Sequence, residues 1–217
     1  ELNKDTYEIR RTFQHREYFK SIHEIAFFDD HIWATSTAYD AIVKLDLDFN
    51  IKGFWEILGE NVDNHKVLTG KMEINPETKS QNDSYHINSI FATKDRLLFS
   101  GLLTPLYDFN TFEEVCQIPT VQTTSGQLAN GFVHNFYGYD DFFTINFTTF
   151  SSLGLSYDGK DFEHFGIPRA SDVKYQVDEI ASNNWNRGLA MGGGKLFIGS
   201  SPARILIFDI ETKTFEA

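Results

Sequence analysis

Residues 134–158, HNFYGYDDFFTINFTTFSSLGLSYD, nearly restate a stretch the chain has already used. Laid without a gap over residues 23–47, HEIAFFDDHIWATSTAYDAIVKLDL, they put His134-Asn135 on His23-Glu24 and Asp140-Asp141 on Asp29-Asp30. An alternating polar and apolar run follows in both copies. Looser copies start at His86, HINSIFATKDRLLFSGLLTPLYDFN, and at Asn186, NRGLAMGGGKLFIGSSPARILIFDIE. One such unit of short strands cannot bury its apolar face alone. Stacked copies can, and radial β architectures are built that way. The expected fold class is all-β, a β-propeller of about five four-stranded blades, four of them visible as full repeats.

The repeats fall near 22–57, 85–118, 132–167 and 185–217, within a single expected domain of residues 1–217. Alternation as in Ile42-Val43-Lys44-Leu45-Asp46 favours strand over helix. Residues 6–13 alternate too and resemble the close of a repeat, so they are expected as a closing strand. Two long connections, 58–84 and 168–184, interrupt the rhythm, with a hairpin anticipated in 66–74 and a strand in 174–180. Long connections in compact domains are commonly functional.

Composition narrows the function classes. There are 19 basic against 31 acidic residues, a net charge of -12, which argues against duplex nucleic acid because that binding rests on phosphate neutralisation. The single cysteine, Cys116, excludes an internal disulfide and a cysteine-rich zinc site, and its apolar surroundings predict an inert thiol. No apolar run approaches a membrane span and no signal peptide is visible, so no membrane association is expected. A soluble protein is expected, the cytoplasm being the favoured compartment, although a chain opening at Glu1 is compatible with a removed leader. The run Gly192-Gly193-Gly194 reads as a turn, because a phosphate loop needs a following helix and a Lys-Ser/Thr pair.

Candidate chemistry gathers at the repeat starts, where innermost strands of a propeller face one mouth of its channel. These positions hold His23 and Glu24, His86 and Asn88, His134 and Asn135, and Asn186 and Arg187. Their types vary at an otherwise repeated place, which favours ligand contacts over a uniform structural role. His86 and His134 are candidate acid/base groups near neutral pH, with Glu24 orienting a histidine or holding a metal. His23, Asn88, Asn135, Asn186 and Arg187 are candidate ligand-binding residues, Arg187 for a carboxylate or phosphate. The alternative structural role is hydrogen bonding to the backbone of a neighbouring blade.

Three resemblances follow. Ser156-Tyr-Asp-Gly-Lys-Asp-Phe162 resembles the Asp-box turn of sialidase-type propellers, which implies a structural turn and no catalysis. Glu24, Asn88 and Asn135 stand where the calcium-dependent gluconolactonase and senescence-marker propellers put a Glu and two Asn ligands. That resemblance implies a divalent cation such as calcium and a metal-assisted, lactonase-like hydrolase, although Arg187-Gly188 replaces that family's Asp-Gly. The succession His-Glu, His-x-Asn, His-Asn and Arg-Gly-Leu-Ala, then Gly-Lys-Leu-Phe-Ile-Gly-Ser-Ser, is similar to uncharacterised bacterial propeller proteins and brings no mechanism with it.

Three functions remain open. The first is a small-molecule-binding or enzymatic propeller, a hydrolase or an acid/base lyase, acting at the channel mouth. The second is a scaffold for protein partners that uses loops 58–84 and 168–184. The third is a glycan-binding module in which Phe136, Tyr137 and Tyr139 stack on sugar faces.

Overall fold

Hairpin follows hairpin through the computed structural model, which describes residues 3–62, 65–73, 83–102, 104–117, 121–122, 128–129, 133–139, 141–168, 186–201 and 204–216. The fold is all-β and of propeller type, with four antiparallel sheets of four or five strands among the described residues. The chain divides into two compact units, Glu1–Asp83 and Ser84–Ala217. The expected strand at 174–180 lies outside the described residues.

The first unit carries one blade: β1 (Ile25–Phe28), β2 (His31–Ser36), β3 (Ala41–Leu45), β4 (Ile51–Val62) and β5 (His65–Glu73), in that spatial order. Asp29 and Asp30 join β1 to β2 with φ of 50° and 56°, the double left-handed geometry of a tight hairpin that Asp tolerates. The connection expected from residue 58 is strand instead. β4 outruns β3 and pairs with β5 from Phe54–Glu73 to Val62–His65, so the hairpin anticipated in 66–74 is one arm of a longer ribbon.

Residues 6–13 do not form the expected closing strand; they hold a single isolated bridge at Ile9. Tyr7 and Ile9 are 77% and 68% exposed, so their alternation finds no face to bury. What anchors this segment is aromatic. Phe13 stacks on Phe49 at 4.7 Å, and the His15 ring donates from Nε2 to the Phe49 carbonyl at 3.0 Å. Arg11 lies over the Phe49 ring and pairs with Asp48. Tyr18 and Phe19 then pack on the core of Ala41, Val43 and Phe54. The segment is a strap across one blade, held by burial of large rings rather than by a ladder.

The second unit carries three blades. The first comprises β6 (Ile87–Ala92), β7 (Leu97–Gly101), β8 (Leu106–Asp108) and β9 (Glu114–Cys116). A two-stranded ribbon follows, β10 (Val121–Gln122) with β11 (Leu128–Ala129). The next blade is β12 (Val133–Gly138), β13 (Phe143–Phe147), β14 (Ser152–Ser156) and β15 (Glu163–Gly166). The last is β16 (Asn186–Gly192), β17 (Lys195–Ser200), β18 (Arg204–Asp209) and β19 (Thr214–Phe215). Each is a meander of neighbours in sequence.

The middle blade is apolar on both faces, as a blade between two others must be. Phe136, Ile145 and Phe147 meet Leu98, Leu106 and Cys116 on one side. Leu153, Leu155 and Phe142 meet Leu196, Ile198 and Phe208 on the other. Its first strand β12 packs against both β6 and β16, which sets three inner strands side by side. Phe136 and Tyr137 are 0% and 3% exposed, so they serve this core and offer no face for sugar stacking.

One turn recurs where the third strand of each blade passes to the fourth. Asp46 accepts from the Asp48 and Asn50 amides, Asp108 from Asn110 and Thr111, Asp158 from Lys160 and Asp161, and Asp209 from Thr212. These bonds to the ionised carboxylate hold Asp158 at about 2 and Asp209 below the usual range, while Asp46 is held below it chiefly by the Asn50 side-chain amide and the Lys52 ammonium. The Asp-box resemblance around Asp158 is one instance. There Gly159 supplies a φ of 72° while the Ser156 hydroxyl donates to Asp158, which makes the motif a structural turn.

Candidate functional site

The inner strands of the second unit share one irregularity. In β6, Ile87 pairs with Gly101 and Ser89 with Ser100, so Asn88 is an extra residue. In β12, His134 pairs with Asn146 and Phe136 with Ile145, so Asn135 is extra. In β16, Asn186 pairs with Ser200 and Gly188 with Gly199, so Arg187 is extra. Three successive blades thus carry a bulge at the same place, occupied by Asn, Asn and Arg. Bulges re-aim side chains out of the regular pleat and gather next to functional sites.

The residues beside the bulges stitch blade to blade. Asn88 is buried and donates its amide to the Val133 carbonyl at 3.0 Å. Ser89 accepts from the Phe136 amide at 3.1 Å. Asn146 donates to the Gly188 carbonyl and to Asn135 Oδ1, and Asn135 donates to the Tyr137 hydroxyl. Asn186 is fully buried and its amide reaches the Ser152 carbonyl at 3.5 Å. The carboxamide oxygens of Asn88, Asn146 and Asn186 are left as buried acceptors without a protein partner. For Asn88 and Asn186 the backbone-stitching role is therefore present in full.

The histidines are placed differently. His134 is buried, and its Nδ1 lies 2.9 Å from Thr148 Oγ1, which itself sits 2.9 Å from the Asn186 carbonyl. His86, half-buried just ahead of β6, adopts a φ of 51°, a left-handed conformation uncommon outside glycine. The Leu102 amide is shared between the Tyr85 and His86 carbonyls and pins that turn. The two rings approach edge to face with centroids 6.4 Å apart, although they come from different blades. Arg187 is exposed at the bulge that follows Asn186.

His23 and Glu24 belong to the first unit, just ahead of β1. Both of their amides donate to Thr35 Oγ1, at 3.2 and 3.1 Å, while the Thr35 amide donates to the Glu24 carbonyl at 3.0 Å. His23 is exposed and Glu24 half-buried. Of the set Glu24, Asn88 and Asn135, the first therefore lies in one unit and the other two in the next.

Cys116 is outside this region and inert: buried, donating to the Gly159 carbonyl at 3.0 Å, its thiol pushed up to about 12 by desolvation and then by nearby Glu114 and Asp158. Sequence reasoning singled out the residues at the strand starts but not Thr148 or Asn146, and it read Tyr137 as a sugar-stacking ring instead of the acceptor of the Asn135 amide. Asn146 stands in the second strand of the repeat and Thr148 opens the 3-10 turn that follows it, so only a comparison of those stretches, such as Thr35 with Asn146 and Thr37 with Thr148, would have singled them out.

No protein-family model matches the chain, and no curated protein matches it. Among solved structures, the chain is similar to the β-propeller domain of Cps50 (Swd1) from Myceliophteria thermophila, at 14% identity and a TM-score of 0.49. That likeness covers 96% of this chain and 57% of that one, so the chain spans little more than half of it. A streptogramin B lyase is similar at 13% identity and a TM-score of 0.48, over 92% of this chain and 68% of that one. A protein of unknown function from Bacteroides caccae is similar at 12% identity and a TM-score of 0.48, over 97% and 85%. Likenesses at this level carry no argument about function.

Proposed function

We propose that the second unit binds a small molecule bearing a carboxylate or phosphate at the starts of its inner strands. One observation carries this reading: the bulge shared by β6, β12 and β16 gives Asn88, Asn135 and Arg187 equivalent positions on neighbouring strands. A purely structural bulge has no need of a guanidinium. Arg187 supplies a planar fork of donors that fits an oxyanion, and Asn135 lines the neighbouring strand. His86 and His134 flank these positions and supply acid/base capacity if the bound molecule is turned over.

The test is a thermal-shift and calorimetric screen of small carboxylates and phosphates against the full chain and Arg187→Ala. Binding that falls roughly 10- to 100-fold in the variant, as loss of a charge-assisted contact predicts, supports the reading. Equal binding by both proteins sinks it.

A second reading, a surface for a protein partner, is favoured by Ile205 and Phe197, which share one face of the last blade and are 73% and 36% exposed. Ile205→Lys would weaken such a partner's binding and leave small-molecule affinity unchanged.

A further inference from the structure

We propose that His86 and His134 form a binding site for a divalent cation of the zinc class, with Thr148 as its outer support. The hydrogen-bond logic around His134 fixes the chemistry. The Asn186 carbonyl can only accept, so the Thr148 hydroxyl, 2.9 Å away, donates to it. With its proton committed there, Thr148 Oγ1 can only accept from His134, 2.9 Å on its other side. Nδ1 of His134 therefore carries a proton, and in the neutral form of the ring the lone pair is on Nε2. Metal-ligating histidines are built this way: one nitrogen donates to an outer oxygen, and the other presents its lone pair to the ion.

The second ligand comes from the neighbouring blade. A ring nitrogen of His86 lies within 4.8 Å of one of His134. Two imidazoles on one tetrahedral ion, each at ~2.0–2.1 Å, hold their ligating nitrogens roughly 3.3 Å apart. Ion binding requires the half-buried His86 ring to turn toward His134 by that difference. The left-handed backbone at His86 is held by the hydrogen-bonded turn to Leu102, so the ring is delivered by a built conformation and not by a loose loop.

Imidazole donors select zinc, copper, nickel or iron, whereas calcium wants oxygens. The site thus differs in both residues and metal from the Glu24, Asn88 and Asn135 set. It also uses no contact with Arg187, so it stands or falls apart from anion binding.

The experiment is calorimetric titration of the tag-free full chain with Zn²⁺ alone, with the visible absorption of bound Co²⁺ as a second readout. One equivalent should bind at micromolar concentration. Affinity should fall at least tenfold in His86→Ala and about 10- to 100-fold in Thr148→Val, the latter with Asn186 and the ring otherwise retained. Because His134 is buried and His134→Ala is prone to unfold, the ¹⁵N shifts of the wild-type His134 ring are read instead, and Nδ1 should be the protonated nitrogen. No saturable Zn²⁺ or Co²⁺ binding, unchanged binding in His86→Ala, preference for Ca²⁺, or a proton on Nε2 of His134 would each overturn the proposal.

Discussion

A Cβ placed on Gly101 would come within 2.2 Å of the Tyr85 carbonyl oxygen, an approach that only glycine permits. Gly101 faces Ile87 across the β6–β7 ladder, immediately beside the bulge, and its neighbour Leu102 holds the carbonyls of Tyr85 and His86. The left-handed turn that presents His86 is therefore bought with a missing side chain on the next strand. Gly101→Ala forces backbone against backbone and should destabilise the chain by about 1–3 kcal/mol, the usual range for overpacking. Urea unfolding checks the magnitude, and a shifted His86 ring resonance checks the cause. A variant with wild-type stability would show that the two strands can part without cost.

Acid should loosen the blades through their shared turns. Asp46, Asp158 and Asp209 are all held below the ordinary carboxylate value by hydrogen bonds to the ionised form. A group depressed on folding binds its proton less readily in the folded chain, so its stabilisation is complete above about pH 4. It is lost as pH falls through the folded value, which for Asp158 is about 2. The melting temperature should drop between about pH 4 and pH 2, and Asp158→Asn should reduce that slope without abolishing it. A melting temperature flat across the interval would remove these turns from the acid response.

Asn88 distinguishes stitching from ligand binding. Its amide donates to the Val133 carbonyl of the next blade, and Asn88→Asp turns that donor into a second acceptor. Loss of a buried pairing costs about 1–3 kcal/mol, more where the new group is charged. Denaturant unfolding of Asn88→Asp should show at least that loss, whereas a residue that only touches ligand would leave stability intact.

The strap predicts a large response at one ring. Phe54 is fully buried beneath Tyr18, with Tyr39 edge-on to it, and Phe54→Ala should cost about 3–5 kcal/mol by calorimetry or urea. Phe13, 37% exposed, should cost clearly less when truncated, yet its loss should free residues 3–15 to early proteolysis. Equal costs at the two rings would contradict the layering described.

Cys116 should not react with a disulfide reagent at pH 8 while the chain is folded, because its thiol is buried and pushed up to about 12. Denaturant should expose it to full labelling. Rapid native labelling would mean that the contact with Gly159 opens readily.

Much of the blade plan was legible because period-two alternation and paired turn residues are local. The strand at 41–45 stands almost where the alternation from Ile42 to Asp46 signals it. The strap is not legible as such because Tyr7, Ile9 and Phe13 alternate as a strand would, and only the distant Phe49 decides where the Phe13 ring goes. The bulges were invisible for a related reason. Whether Asn88 or Arg187 is an extra residue depends on which partner it lacks across the ladder, and a single strand does not carry that information. The recurrent Asp turn was within reach: Asp46, Asp108, Asp158 and Asp209 each follow the last apolar or aromatic residues of a third strand, yet only the instance around Asp158 was picked out. His86 and His134 stand out in the sequence as repeat-start candidates, whereas Thr148, which hydrogen-bonds the His134 ring, sits in a short turn where nothing local marks it.

An extra residue in a ladder is one on which the ladder's register does not depend. Asn88, Asn135 and Arg187 stand at places where a change of side chain slides no neighbouring pair onto the wrong face. The blades have already used that freedom within one molecule, fitting amide, amide and guanidinium into the same slot. On the proposed anion-binding reading, a change of ligand in a related chain would be sought first at Arg187, because Asn88 also holds the neighbouring blade and Asn135 is tied to Asn146 and Tyr137.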